Sequence, residues 1–294
     1  MPHKAGFVSI IGKPNVGKST LMNALVGEKL SIITYKAQTT RHRIMGIVNG
    51  EDFQIIYSDT PGILKPHYKL HKNMMRFVDS AFEDADLILY VLDIRDDEED
   101  EDTLVRLRSL KIPVITIINK IDLADEARIN ALVAKVTELL PGSQVIPASA
   151  LTGVNISEIF DKILSVLPES PPYYDKETLT DRTQRFFVSE IIREKIFLNY
   201  KQEIPYSSEV VIEDFKESKD IIRITAYIFV DRDTQLGIVL GHKGSAIKKV
   251  GMEARKEIEQ WLGIKVFLGL SVKVKKDWRN DEAWLDRLGY GIQD

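Results

Sequence analysis

Near the N-terminus, Gly12-Lys13-Pro14-Asn15-Val16-Gly17-Lys18-Ser19 has the residue types and spacing of a phosphate-binding loop. Glycines at both ends let the backbone curl until successive N–H groups face one point. Lys18 can then neutralise β- and γ-phosphates, while the Ser19 hydroxyl, with Thr20 behind it, can reach a hard cation such as Mg²⁺. Asp59-Thr60-Pro61-Gly62 offers a carboxylate to hold that metal through water and a Gly62 N–H to sense a γ-phosphate, with Ile63 following. Asn119-Lys120-Ile121-Asp122 ends in a carboxylate that can accept from N1–H and the 2-amino group of guanine. Adenine has neither donor, so a buried acid would stay unpaired against it. Ser149-Ala150-Leu151 can add a backbone N–H to the guanine carbonyl. In the polar stretch 31–42, Gln38-Thr39-Thr40-Arg41 supplies a threonine able to close on Mg²⁺ with GTP and release after hydrolysis. The residues alone leave Thr39 and Thr40 both open.

A second chemistry lies far downstream. Gly241-His242-Lys243-Gly244 sits between apolar runs, as in the GxxG loop of a KH module, where two glycines admit a nucleic-acid backbone between two helices. Ile247 is placed to line an adjoining groove for unstacked bases, and Lys248, Lys249 and the strand Lys273-Val274-Lys275-Lys276 add positive charge. Within 241–276 nine basic residues face three acidic ones, although the whole chain carries a net charge of −4. That local excess points to a polyanionic partner for this surface alone. The run Asp96–Asp102 is entirely acidic and reads as a solvated loop leading into a helix N-terminus. His67 and His71 read as surface residues, and the amphipathic stretch Phe186–Phe197 as a helix packing on the second domain's sheet rather than on a membrane.

These groups need rigid elements to hold them. Phe7–Ile11, Leu87–Leu92 and Val114–Ile118 are continuous apolar runs of strand length, alternating with helical stretches at Ser19–Val26, Ala127–Leu140 and Ile156–Leu167. Such runs mark strands buried on both faces of a mostly parallel sheet. Arg43–Val48 and Phe53–Tyr57 read as an antiparallel hairpin at its edge. The first domain is therefore an α/β, doubly wound domain spanning 1–170. Prolines at 168, 171 and 172 break the pattern and place a linker at 171–181. Residues 182–294 then follow the order α-β-β-α-α-β, with a helix at Arg182–Leu198 and strands at Ser208–Ile212, Ile221–Val230 and Val266–Val274. This is a smaller α+β domain of the type II KH arrangement. The 294 residues contain no cysteine, which excludes a disulfide scaffold, thiolate zinc and a cysteine nucleophile, and fits a reducing compartment.

The combination of these motifs, from Gly12–Ser19 through Gly241–Gly244, resembles the Era family of bacterial GTPases over nearly the whole chain. The resemblance implies a P-loop GTPase domain followed by a KH domain, GTP as substrate, GDP as product, and Mg²⁺ as cofactor. It further implies Lys18, Thr40 and Gly62 in the catalytic centre, and Ser19, Thr40 and Asp59 around the metal. As partners it implies the 3′ region of 16S ribosomal RNA and the small ribosomal subunit, whose maturation the family assists. A cytoplasmic protein with a peripheral pool at the inner membrane face is also implied, and a monomer is expected. In related GTPases the residue after Asp-Thr-Pro-Gly is apolar, as Ile63 is here, and the P-loop asparagine helps hold K⁺; Asn15 stands at that place. Ile63 cannot orient water, so a slow intrinsic rate is expected.

Overall fold

The computed structural model describes residues 2–96 and 100–291. The chain divides into two compact units, one of Met1–Ser31, Thr40–Lys65 and Met74–Asp181, the other of Ile32–Thr39, Pro66–Asn73 and Arg182–Asp294. In chain order the first elements are β1 (Lys4–Ile11), α1 (Lys18–Val26), β2 (Ile44–Asn49), β3 (Phe53–Asp59), α2 (Lys69–Glu83), β4 (Leu87–Asp93), α3 (Glu101–Ser109), β5 (Val114–Asn119), α4 (Glu126–Leu139), β6 (Gln144–Pro147) and α5 (Ile156–Val166). Their six strands form one sheet in the order β2-β3-β1-β4-β5-β6, parallel except for the β2–β3 hairpin. The apolar runs of β1, β4 and β5 are buried almost throughout, because helices cover both faces. Since β1, β3, β4, β5 and β6 run in one direction, the P-loop, Asp59, Asn119 and Ser149 all lie at their carboxyl ends. That edge is where open α/β sheets bind ligands.

Residues 171–181 lie along the hairpin of this first unit. Ile47 N–H donates to the Leu179 carbonyl at 2.8 Å and Thr180 Oγ1 to the Met45 carbonyl at 2.7 Å. Part of the acidic run, 97–99, lies outside the described residues. Asp100 caps α3, its side chain accepting from Thr103 N–H, as an acid at a helix start should.

The second unit contains α6 (Gln184–Asn199), α7 (Ile204–Ser207), β7 (Glu209–Glu217), β8 (Ile221–Val230), α8 (Asp233–Leu240), α9 (Ser245–Leu262), β9 (Lys265–Val274) and α10 (Glu282–Arg287). Its sheet has the order β7-β8-β9, with β7–β8 antiparallel and β8–β9 parallel. Val188, Ile192 and Ile196 of α6 are buried with Ile224, Ala226 and Ile228 of β8 and with Val250, Ala254 and Ile258 of α9. The apolar side of the Phe186–Phe197 stretch is thus spent on this core. No helix among the described residues is long and apolar enough to cross a membrane.

Two expectations need correction. β7 runs on to Glu217, past the expected end at Ile212, because a bulge between Ile212 and Asp214 shifts the register and hides the alternation that the charged residues otherwise break. His71 is not a surface residue: it is buried, and its ring stacks on Tyr68 at 3.8 Å.

Candidate nucleotide site and nucleic-acid groove

The P-loop leaves β1 and enters α1, so the first N–H groups of that helix open onto the loop's concave side. Asn15 (φ 64°) and Gly17 (φ 99°) both take left-handed backbone. At Gly17 no side chain fits, since a Cβ would lie 2.2 Å from Asn119 Nδ2. Lys18 is buried, and its Nζ donates to the carbonyls of Gly12 (3.0 Å) and Lys13 (2.8 Å), which hold the ammonium inside the loop. Burial lowers its pKa to about 8, with the Asp59 carboxylate opposing and the Lys120 ammonium adding to the fall.

Ser19, Thr40 and Asp59 converge beside it. Ser19 Oγ donates to Asp59 Oδ2 at 2.6 Å and lies 2.8 Å from Thr40 Oγ1, which is 3.5 Å from the same carboxylate oxygen. Asp59 is fully buried and its Oδ1 has no hydrogen-bond partner. Burial pushes its pKa up, against the Ser19 hydroxyl and the Lys18 ammonium. A buried carboxylate with an open oxygen beside two hydroxyls is a donor set for a hard divalent cation, so these residues fit Mg²⁺. Thr39 is engaged elsewhere, its Oγ1 bonded to Thr34 Oγ1 (2.6 Å) and to the Lys36 carbonyl (2.7 Å). The geometry therefore brings Thr40, not Thr39, to the metal ligands. On the other side, Thr60 Oγ1 donates to the Ile10 carbonyl (2.8 Å) and Ile63 N–H to the Gly12 carbonyl (3.1 Å). Gly62 passes so close to the loop that a Cβ would sit 2.6 Å from Pro14 Cα. The Ile63 side chain packs against the buried cluster that includes Val78, Tyr90 and Leu104, and brings no polar group to the site.

At the base end, Asn119 acts as a strut. Its Nδ2 donates to the Val16 carbonyl and its Oδ1 accepts from Ala150 N–H, both at 2.9 Å, joining the P-loop to the 149–151 loop. One donor and one acceptor of its amide are thus used in bracing the two loops. Ser149 N–H goes to the Val154 carbonyl, so among these three backbone donors Leu151 N–H stays open for a guanine carbonyl. Asp122 accepts from Ser149 Oγ at 2.5 Å through Oδ1, which steers the carboxylate and leaves Oδ2 for the base.

Lys120, in left-handed backbone, donates to the Asn15 carbonyl (2.5 Å) and to Asp93 Oδ2 (2.6 Å). Asp93 was not singled out in the sequence. Burial would raise its pKa, but hydrogen bonds from Arg95 and Lys120 outweigh that and hold it at about 2. Strand pairing gives it this place: Asp93 closes β4 directly opposite Asn119 of β5.

In the second unit, α8 ends at Gly241 and α9 starts after Gly244, with Lys243 between them at φ 50°. A Cβ at Gly241 would lie 2.6 Å from that of Ala246, so the loop is pressed against the new helix. His242 and Lys243 are exposed at its tip. Beside it runs an open groove walled by Ile247, Lys248, Gly251, Met252 and Arg255 of α9 and by Leu268 and Leu270 of β9. Lys249 does not line it, lying instead 3.8 Å from Glu253. Met252, Arg255 and the two leucines were missed, although 248, 252 and 255 share one helix face.

Fold and sites together define a guanine-nucleotide-binding P-loop protein with an RNA-binding KH module. The family model described as 50S ribosome-binding GTPase matches residues 7–120, and the KH domain model matches 203–279. GTPase Era of Staphylococcus epidermidis is 43% identical over 98% of this chain and 97% of its own length; that of Geotalea daltonii is 44% identical over 97% of each. Among solved structures, Era in complex with MgGDPNP and nucleotides 1506–1542 of 16S ribosomal RNA superposes with a TM-score of 0.94 at 37% identity, covering 99% of this chain and all of that one. A point variant of Aquifex aeolicus Era bound to GDP·AlF₄⁻ gives a TM-score of 0.94 at 38% identity, covering 98% of this chain and all of that one. The chain belongs to the Era family of GTPases.

Proposed function

We propose that this GTPase is a switch that binds the 3′ region of 16S ribosomal RNA through its KH groove and assists maturation of the small ribosomal subunit. One observation carries the reading: a guanine-reading P-loop site and a GxxG groove occur in one chain. That chain matches, over nearly its whole length, a protein whose structure holds MgGDPNP and a 16S fragment. In this reading Lys18 and the loop N–H groups hold the phosphates, and Ser19 and Thr40 ligate Mg²⁺ with Asp59 behind them. Gly62 senses the γ-phosphate, and Asp122 and Leu151 N–H read guanine while Asn119 braces the loops. When bound, Mg²⁺ neutralises charge on the β- and γ-phosphates. His242, Lys243 and Lys248 meet the RNA backbone, and Ile247 with its groove neighbours receives bases.

The test is GTP hydrolysis with and without an RNA fragment of nucleotides 1506–1542, or purified small subunits, beside a Lys243→Glu, Lys248→Glu variant. Stimulation that the double substitution abolishes is expected. Hydrolysis indifferent both to RNA and to the substitutions would overturn the reading.

Two finer statements belong to the same proposal. K⁺ beside the exposed Asn15 side chain supplies part of the charge stabilisation that Ile63 cannot, so hydrolysis is faster in KCl than in NaCl; equal rates would remove K⁺ from the account. The protein works in the cytoplasm, where its RNA partner is assembled. A peripheral pool at the membrane would need a surface other than the apolar side of α6, which is buried in the core.

A further inference from the structure

Asn119, which ends β5, and Lys120 after it hold two consecutive peptides of the phosphate-binding loop. Lys120 Nζ donates to the Asn15 carbonyl at 2.5 Å, and Asn119 Nδ2 to the Val16 carbonyl at 2.9 Å. A trans peptide is planar, with its C=O and N–H on opposite sides. Holding the Asn15 carbonyl from the β5 side therefore turns Val16 N–H the other way, toward the concave side where a phosphate would lie. Asn15 itself is in left-handed backbone at φ 64°, a conformation that a non-glycine residue keeps only where its surroundings impose it. The Lys120 ammonium is one such constraint.

An ammonium on a flexible four-carbon stem has no fixed direction of its own. Here the direction comes from Asp93, whose Oδ2 accepts from the same Nζ at 2.6 Å. Asp93 pairs with Asn119 across β4 and β5, so the carboxylate stands at the neighbouring strand end. It is buried and held in turn by Arg95. Oδ1 accepts from Arg95 N–H at 3.0 Å and from its Nε at 2.9 Å, while Oδ2 accepts from Nη2 at 2.6 Å. The arginine fork alone would neutralise the carboxylate. Its second oxygen nevertheless takes a second cation, and that cation is the one reaching the loop.

We propose that Asp93 is a positioning residue for nucleotide binding: it holds the Lys120 ammonium on the Asn15 carbonyl and so keeps Val16 N–H aimed at the phosphates. This rests on the reading of Gly12–Ser19 as the phosphate site. GDP and GTP both bring phosphates to that peptide, and the base is read by other residues. Loss of Asp93 therefore weakens both nucleotides and leaves the preference for guanine as it was.

The experiment is a double-mutant cycle on the full-length protein: wild type, Asp93→Asn, Lys120→Met and the two combined, with Lys18→Ala as a control. Affinities for GDP, GDPNP and XDP are measured, with thermal unfolding of the nucleotide-free protein alongside. Asp93→Asn and Lys120→Met are each expected to lower GDP and GDPNP affinity about tenfold, as for loss of one charge-assisted hydrogen bond. The combined variant should bind no more weakly than Lys120→Met alone, because Asp93 acts through that lysine; independent roles would multiply to about a hundredfold. The ratio of GDP to XDP affinity should stay at the wild-type value in Asp93→Asn. If Lys18→Ala leaves GDP affinity unchanged, the reading of the loop fails and the proposal with it. If Lys18→Ala weakens GDP but either single substitution at 93 or 120 does not, the proposal alone is overturned. A purely structural Asp93 would lower the unfolding midpoint and multiply with Lys120→Met, which also overturns it, as would a changed GDP-to-XDP ratio. Should Asp93→Asn not fold, Arg95→Gln decides, since that side chain is mostly exposed and fixes the same carboxylate. Weaker GDP binding in the wild-type background and none further in Lys120→Met would support the proposal; an equal effect in both, or in neither, would end it.

Discussion

In the function proposed above, the discrimination of guanine from adenine rests chiefly on one carboxylate. Asp122 is steered by the Ser149 hydroxyl through one oxygen, and in the proposed reading the other oxygen is the acceptor for N1–H and the 2-amino group of guanine. Replacing it by asparagine puts an amide donor where the 2-amino group sits, and that donor instead suits the 2-oxo group of xanthine. Asp122→Asn is expected to lower GTP affinity on the order of a hundredfold and to raise XTP affinity, because a mismatched polar edge leaves partners unpaired. Competition of GTP, XTP and ATP against a fluorescent nucleotide checks this; unchanged selectivity would mean that another group reads the base.

At the scale of elements, some helix starts are closed by a side chain and others are left open. α3, α4 and α6 begin with side-chain caps from Asp100, Asp125 and Thr183, which satisfy a first-turn N–H internally. α1 and α9, the helices that follow the two glycine loops, begin after Gly17 and Gly244 in left-handed backbone with no side-chain cap. Their first N–H groups are left for phosphate oxygens, and the helix dipole adds to the attraction. A Cβ at Gly244 meets nothing within 4 Å. Gly244→Asp should therefore fold, at a cost of roughly 1–2 kcal/mol for a left-handed non-glycine residue, while setting a negative charge where RNA phosphate must approach. Loss of RNA binding with the urea midpoint only modestly lowered is the expected pair of results. Wild-type RNA affinity would show that the end of α9 does not meet the RNA backbone.

Over the whole molecule, charge is distributed rather than balanced. The chain is acidic by four units, yet Lys248 and Arg255 line the groove and Lys243 is exposed on the glycine loop, so RNA affinity should follow the local field and not the net charge. It should fall steeply with salt, and Lys243→Glu, Lys248→Glu should flatten the slope of log K against log salt by about 1.4, at roughly 0.7 per lost single-strand phosphate contact. Filter binding across a salt series measures that slope. An unaltered slope would place the RNA backbone away from these lysines.

Much of this protein was legible before any contact was known, because the features concerned are local. Strand-length apolar runs alternating with helices imply a parallel sheet by burial alone, and glycines at Gly12, Gly17, Gly241 and Gly244 mark backbone that few other residues adopt. The P-loop lysine and serine, the Asp122 carboxylate and the GxxG loop follow from residue type and spacing. What the tertiary structure alone decided depends on residues distant in the chain. Thr39 and Thr40 are chemically alike, and the choice came from the approach of Ser19 and Asp59 to one of them. Asn119 proved to be a strut because Val16 and Ala150 lie on either side of its amide. Asp93 gained its place through the pairing of β4 with β5, and residues 32–39 joined the second unit through Arg193, Glu194 and the carbonyl end of α6. Sequence pattern reports which conformations each stretch of backbone can adopt, whereas the partner of a given side chain is settled only when packing brings remote segments within hydrogen-bond reach.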